Sequence, residues 1–293
     1  MNTKFVAEVS SNHHQSLERS QAFIKAAAQI GCHSVKFQLF KIDELFTPQV
    51  LAANSQIAAR RQWELPVSFL KPLADYSHAL GLEFSCTPFY LEAVEELLPY
   101  VDYFKIASYE LLWLDLFRAC SATGKPLVFS TGMATIPEIK AALATIAQGK
   151  TKTVTVLHCT SSYPTPLPQV NLRALETLRG ELKEFSSTFD LRFGLSDHSV
   201  SPAVISRAIH KYEVALVEFH LDLDGTGDEF KTGHCWLPEA MKRVIVAIKD
   251  GEIADGPGGK LPMPNEMDER LWRADPRDGL RPLQEKRNAL YHA

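Results

Sequence analysis

PLVFSTGMATIPEIKAALATIAQGKTKTVTVLHCT, residues 126–160, sets two short apolar, strand-like runs on either side of one helix-like stretch. PLVFSTG (126–132) and VTVLHCT (154–160) read as strands. Between them, PEIKAALATIAQG repeats its apolar residues at helical spacing, with Thr135 as cap candidate and Pro137 close to the first turn. The segment is therefore one strand–helix–strand unit.

The same unit recurs in both directions along the chain. Further strand candidates are FVAEVS (5–10), SVKFQLF (34–40), EFSCTPF (83–89), YFKIAS (103–108), RFGLSDH (192–198) and ALVEFHL (215–221). Amphipathic stretches separate them, and several end on a glycine (Gly31, Gly81, Gly124) suited to a left-handed helix cap. Eight strand–helix repeats have one simple closed solution, an α/β fold of the (β/α)8 TIM-barrel type. The competitor is an open doubly wound sheet. No G-x-G-x-x-G follows the first strand, which counts against it. The barrel is expected over residues 1–252. Residues 253–293 are expected to form a Gly/Pro-rich linker, GPGGKLPMP, and a C-terminal tail.

Composition narrows the function classes. The chain has 293 residues, 45% of them hydrophobic, ample for a full core, and a formal charge of −4. That balance argues against a nucleic-acid or anionic-membrane surface, so an anionic ligand must be held by a few local cations. Five cysteines, odd in number and without a C-x-x-C pair, read as buried thiols in a reducing compartment. No apolar run approaches membrane-spanning length and the N-terminus lacks a cleavable leader pattern, so a cytoplasmic protein is expected.

Residues two apart in a strand share a face. On that rule Glu8 and Ser10, Lys36 and Gln38, Ser85 and Thr87, Lys105, Ser130, His158 and Thr160, Ser196 and His198, and Glu218 and His220 form a recurrent polar set. Most lie toward the C-terminal ends of their strands, where barrel enzymes assemble their sites. Any one of them reads as an individually satisfied polar residue. Together they point to a polar pocket, because a packed barrel interior is otherwise Val, Ile and Leu. His198 and His220 end neighbouring strands and can converge on a cation such as Mn, Fe, Co or Zn, with no third protein ligand obvious. Lys36 and Lys105 would be costly to bury without an anion. The Ser108 and Ser130 hydroxyls, with backbone N–H groups of the ASYE and STGM turns, add donors for phosphate oxygens.

The motifs AEVSSNH (7–13), VKFQ (35–38), SCTPF (85–89), YFKIASYE (103–110), STGM (130–133), LHCTSSYPTP (157–166), GLSDHS (194–199) and VEFH (217–220) occur in the order found in one family. The chain resembles the sialic acid synthases, phosphoenolpyruvate-condensing enzymes of nonulosonic acid biosynthesis. The resemblance implies condensation of phosphoenolpyruvate with an N-acylated amino-sugar aldose such as N-acetylmannosamine, with phosphate lost by C–O cleavage. It implies a divalent ion, Mn or Mg, on His198 and His220, and phosphoenolpyruvate held by Lys36, Lys105, Ser108 and Ser130. Glu8, Gln38 and Tyr163 match positions facing the sugar or the new bond, and Glu110 and Glu218 match further active-site carboxylates. A homodimer is expected by the same analogy.

The chain also departs from the family's pattern. Ser161 stands where an amide side chain usually contacts phosphoenolpyruvate. The loop DLDGTGDEFKTGHCWLP (222–238) differs from the usual proline-rich version; Asp228 is the candidate sugar carboxylate, with Asp222 and Asp224 as rivals. His234 has no assigned part, and Trp236 reads as packing. Typical members carry a C-terminal antifreeze-like domain that lends an arginine to the sugar site, for which residues 256–293 are too few. The tail is therefore a candidate lid, with Arg277 or Arg281 as substitute. Alternatives are the same chemistry on a different aldose, or a non-catalytic sugar- or phosphate-binding relative.

Overall fold

Eight parallel strands pair in sequence order, and the last closes on the first. They are β1 (Lys4–Glu8), β2 (Ser34–Leu39), β3 (Glu83–Pro88), β4 (Tyr103–Ile106), β5 (Leu127–Ser130), β6 (Thr153–Cys159), β7 (Asp190–Asp197) and β8 (Leu216–Leu221). Closure is set by parallel pairing of Lys4 with Leu216 through Glu8 with His220. The expected (β/α)8 barrel is thus present. The computed structural model describes residues 3–291.

Helices follow the strands at the expected places. Leu17–Ile30 ends on Gly31 at φ 91°, a left-handed cap that needs no Cβ. Ile136–Ile146 opens with a capping box, in which the Glu138 carboxylate accepts from the Thr135 backbone N–H at 2.7 Å. The outward strand residues Phe37, Phe84, Phe104, Phe129 and Phe219 pack with helix residues such as Phe23, Phe117 and Ile205 in one continuous core. All five cysteines are free and buried, as expected.

Inside the barrel the side chains are layered. The apolar floor is Val6, Tyr103, Val128, Leu157 and Leu216. Gly194 on β7 belongs to this layer because a Cβ there would come within 2.4 Å of Leu157 Cδ2 and 2.6 Å of the Leu216 carbonyl. Above the floor the interior turns charged.

The chain divides into two compact units, the first ending at Lys249 and the second starting at Asp250, within the helix Pro238–Ala254. In the second unit Arg287 pairs with Asp278 at 2.6 Å, and the Asp275 carboxylate accepts the Gln284 backbone N–H at 2.7 Å. Among the described residues no helix is long and apolar enough to cross a membrane.

Candidate active site

Two lysines and two carboxylates form the charged layer. Glu8 on β1 is ion-paired with Lys36 on β2 and accepts from Gln38 Nε2 at 2.9 Å. Glu218 on β8 lies 3.3 Å from Lys105 and 3.9 Å from Lys36, and accepts from Ser196 Oγ at 3.1 Å. All four charged residues are buried. The buried ammonium groups thus find protein carboxylates, a pairing that the sequence reading had assigned to a substrate anion alone.

The sharing is unequal. Burial works against the charge of Lys36, but the Glu218 and Glu8 carboxylates hold its pKa above the ordinary lysine value. Burial pushes Lys105 the other way, offset only in part by Glu218. Glu218 is held down at about 2, against the effect of burial, by Lys105 and Lys36. Lys105 is the cation with spare capacity for an anion.

Imidazoles crown this layer. His198 directly follows β7, and its Nδ1 donates to the Thr160 carbonyl at 3.0 Å. His220 on β8 donates through Nδ1 to Glu229 Oε2 at 2.8 Å. Their ring centres are 5.3 Å apart. In each case the second nitrogen, Nε2, is left with a bare lone pair. A histidine whose N–H is fixed by a carbonyl or carboxylate is the usual arrangement behind a metal ligand, so this donor set fits a divalent ion. Tyr163 lies over the group, 4.3 Å from the His198 ring centre.

The resulting cavity has a volume of about 360 Å³. It brings together ten of the expected residues: Glu8, Lys36, Gln38, Lys105, Ser108, Ser130, Tyr163, His198, Glu218 and His220. Ser161 lines a neighbouring hollow, beside Gly132. The Ser130 and Ser161 hydroxyls are buried without a hydrogen-bond partner among the described residues, and Ser108 Oγ accepts the Gly132 N–H at 3.0 Å.

Glu110 is buried just outside the lining, and burial raises its pKa from 4.5 to about 7, although the Lys105 charge pulls downward. A carboxyl raised on folding binds more protons in the native state than in the unfolded chain. Its contribution to stability therefore falls as pH rises from 4.5 through about 7. Glu110→Gln is expected to gain stability over wild type, by on the order of 2–3 kcal/mol at pH 8 and little at pH 4. Denaturant melts at the two pH values check this; an equal difference at both would refute it.

Two readings need correction. His158 faces away from the interior, where Leu157 and Cys159 point instead, and its Nε2 is bonded to the Val170 carbonyl at 2.7 Å. Asp228 does not reach the cavity; it is exposed and pairs with Lys231 at 2.9 Å. Its rivals also serve the loop itself: Asp222 accepts from the Gly227 N–H at 3.2 Å and Arg19 at 3.3 Å, and Asp224 from Arg19 at 2.9 Å. Arg277 and Arg281 belong to the second unit. Trp236 is buried packing, as read, with its indole N–H 3.3 Å from Asp197.

The NeuB family profile matches residues 23–260. The chain belongs to the NeuB family. This bears out the resemblance read from the eight motifs. The chain is 30% identical to an N,N'-diacetyllegionaminic acid synthase of Legionella pneumophila, over 89% of this chain and 76% of that protein. A pseudaminic acid synthase of Helicobacter pylori is 27% identical, over 92% of this chain and 81% of its own. The solved N-acetylneuraminic acid synthetase of Leptospira borgpetersenii, in complex with citrate, has a TM-score of 0.76 at 23% identity, covering 100% of this chain and 94% of that one. That last likeness is one of fold.

Among the lining residues of this NeuB barrel to which the sequence reading gave no part are Glu229, His234, Arg60 and Trp63. Glu229 and His234 come from the loop after β8. That loop makes a short helical turn, Asp228–Lys231, then returns as a two-residue strand β9 (Cys235–Trp236) beside β8. Pairing of Cys235 with His220 delivers His234 to the mouth. Glu229 accepts from Ser10 and, at 2.9 Å, from Ser11, in the turn beyond β1. Burial would raise its pKa, but His220 and these donors hold it well below the carboxylate range. Arg60 and Trp63 come from the helical insertion between β2 and β3, with the guanidinium 5.4 Å from the indole centre. Neither segment carries a strand-like alternation to betray it.

Proposed function

We propose that the barrel condenses phosphoenolpyruvate with an N-acylated amino-sugar aldose to give a nonulosonic 2-keto acid, with the help of a divalent ion. The observation that carries this reading is one cavity holding paired buried lysines and carboxylates beneath imidazoles with bare Nε2 atoms. The names of the NeuB relatives, which make legionaminic and pseudaminic acids, support the substrate class.

In this reading C3 of phosphoenolpyruvate attacks the aldehyde carbon as the C2–C3 and carbonyl π bonds open, and a water oxygen adds at C2, its lost proton balancing the one gained by the aldehyde oxygen. The bond between C2 and the bridging oxygen then breaks, and phosphate leaves with that oxygen. Lys105 and Lys36 neutralise the charge that shifts onto the phosphate. The unpartnered hydroxyls of Ser130 and Ser161, with Ser108, donate to its oxygens. Glu8, already tied to Lys36 and Gln38, orients the attacking water on the sugar side. Glu110, raised to about 7 just outside the lining, gains or loses its charge near neutrality within electrostatic reach of Lys105. His198 and His220 would hold a divalent ion, which would supply Lewis-acid polarisation of the open-chain aldehyde. Tyr163, half out of the mouth, faces the incoming sugar.

The decisive experiment measures phosphate release from phosphoenolpyruvate with Mn present, across a set of N-acyl hexosamines. Release with at least one acceptor is expected. A protein that binds phosphoenolpyruvate yet releases phosphate with none would be a binding relative instead. A second test concerns Gly132, where a Cβ would fall 2.1 Å from Ser161 Oγ and 2.8 Å from Ser108 Oγ. Gly132→Ala must swing both hydroxyls away. It is expected to raise KM for phosphoenolpyruvate roughly tenfold to a hundredfold, with a smaller change in KM for the sugar. Equal changes in both constants would remove these serines from the phosphate site.

A further inference from the structure

We propose that His234 completes a three-imidazole site with His198 and His220 for a first-row transition-metal ion, and that Glu229 positions the His220 ring. This rests on the reading of His198 and His220 as metal ligands and extends it to the loop after β8.

The tautomer of His234 follows from its neighbours. The Thr232 hydroxyl has a single hydrogen, and at 2.7 Å it donates this to the Glu229 backbone carbonyl. Thr232 Oγ1 also lies 2.7 Å from His234 Nδ1, so there it must accept. Nδ1 therefore carries the hydrogen and Nε2 of the neutral ring is a bare lone pair. That lone pair lies 3.5 Å from Glu229 Oε2, an arrangement of two acceptors that favours a cation close by. All three rings thus have the same design: Nδ1–H tied to a protein acceptor, Nε2 free.

The spacing also fits. Rings bound to one ion at about 2.1 Å have centres roughly 4.5–5.5 Å apart when cis to each other. The His220–His234 and His198–His220 centres are 4.8 and 5.3 Å apart; His198–His234, at 6.3 Å, is wider and suits a more open angle. His220 and His234 also belong to a group, with Glu229 and Cys235 and without His198, whose ligand-type atoms all lie within 4.8 Å of one another. Glu229 is otherwise engaged, accepting from Ser10, Ser11 and His220, which makes it an orienting group behind the rings. Cys235 Sγ is turned to the Asn12 amide at 3.7 Å. Three imidazoles are a nitrogen set that favours Mn, Fe, Co or Zn over Mg, which prefers oxygen.

The test titrates Co(II), Mn(II) and Mg(II) into the chelator-treated full chain, read by calorimetry and, for Co(II), by visible absorption. Wild type is expected to bind one Co(II) or Mn(II) far more tightly than Mg(II). His234→Ala, the conservative His234→Gln and Glu229→Gln are each expected to weaken Co(II) binding about 10- to 100-fold and to alter its visible bands, with thermal melts confirming a folded chain. Unchanged Kd and spectrum in both His234 variants would overturn the third ligand while leaving the two-histidine reading intact. A sulfur-to-cobalt charge-transfer band lost in Cys235→Ser would overturn the all-imidazole set. No binding by wild type, or binding that survives loss of both His198 and His220, would instead remove the metal reading on which the proposal rests.

Discussion

His220→Ala is expected to abolish acceptor-dependent phosphate release, by about a thousandfold or more, while the chain stays folded. The ring is only 12% exposed, but it stands at the mouth, above the charged layer and far from the apolar floor. Its removal takes away one bare Nε2 and frees Glu229, which keeps its Ser10 and Ser11 partners. The stability cost should therefore be small, roughly 1–2 kcal/mol, and Tm should move by only a few degrees. His198→Ala should behave alike, because its ring is anchored by a backbone carbonyl that also accepts the Ser162 N–H at 2.9 Å. Bound Mn per chain, measured after dialysis, should fall in both. His158→Ala is the control: it empties a buried site outside the barrel interior, so it should lower Tm and leave metal content unchanged. If His198→Ala and His220→Ala both retained wild-type metal content, the ligand assignment would be wrong.

The barrel was legible because each repeat had its own signal. Strand ends agree with the sequence reading to within a few residues, since parallel strands buried on both sides appear as continuous apolar runs. The polar interior was legible for a related reason: Lys36, Lys105 and Glu218 are out of place in such runs unless they face one another. Strand β6 misled. In VTVLHCT either alternate set could face inward, and polarity favoured His158. The register is decided across the sheet, where Leu157 pairs with Gly194 and fills the space its missing side chain leaves, so His158 turns outward to the Val170 carbonyl. A single strand does not contain that information. The loop after β8 hid Glu229 and His234 for another reason. Loops have no period, and Asp228 was the more conspicuous carboxylate; the chain turns one residue further and presents Glu229.

Glu218→Gln is expected to be the most destabilising single change in the charged layer, at about 3–5 kcal/mol. The substitution keeps shape, and Ser196 can still bond the amide, so packing is not the cause. Lys36 would retain Glu8, but Lys105 would lose its 3.3 Å partner inside a buried site. The sign of the pH dependence follows. In wild type Glu218 is depressed to about 2, so its stabilising effect is complete above the ordinary carboxylate value of 4.5 and is lost as pH falls through about 2. In the variant Lys105, without its carboxylate, titrates further below the ordinary lysine value. The variant therefore regains stability as pH rises toward that value and the buried amine is neutral. The gap between the two proteins should be widest between about pH 5 and 8 and narrow on either side. Pairing Glu218→Gln with Lys105→Met separates charge from other causes. Removing the stranded ammonium should restore at least half of the lost stability at pH 7 while activity stays absent, because the phosphate then has no Lys105 to meet. A double variant no more stable than Glu218→Gln alone would mean that the Lys105–Glu218 pair does not hold this layer together.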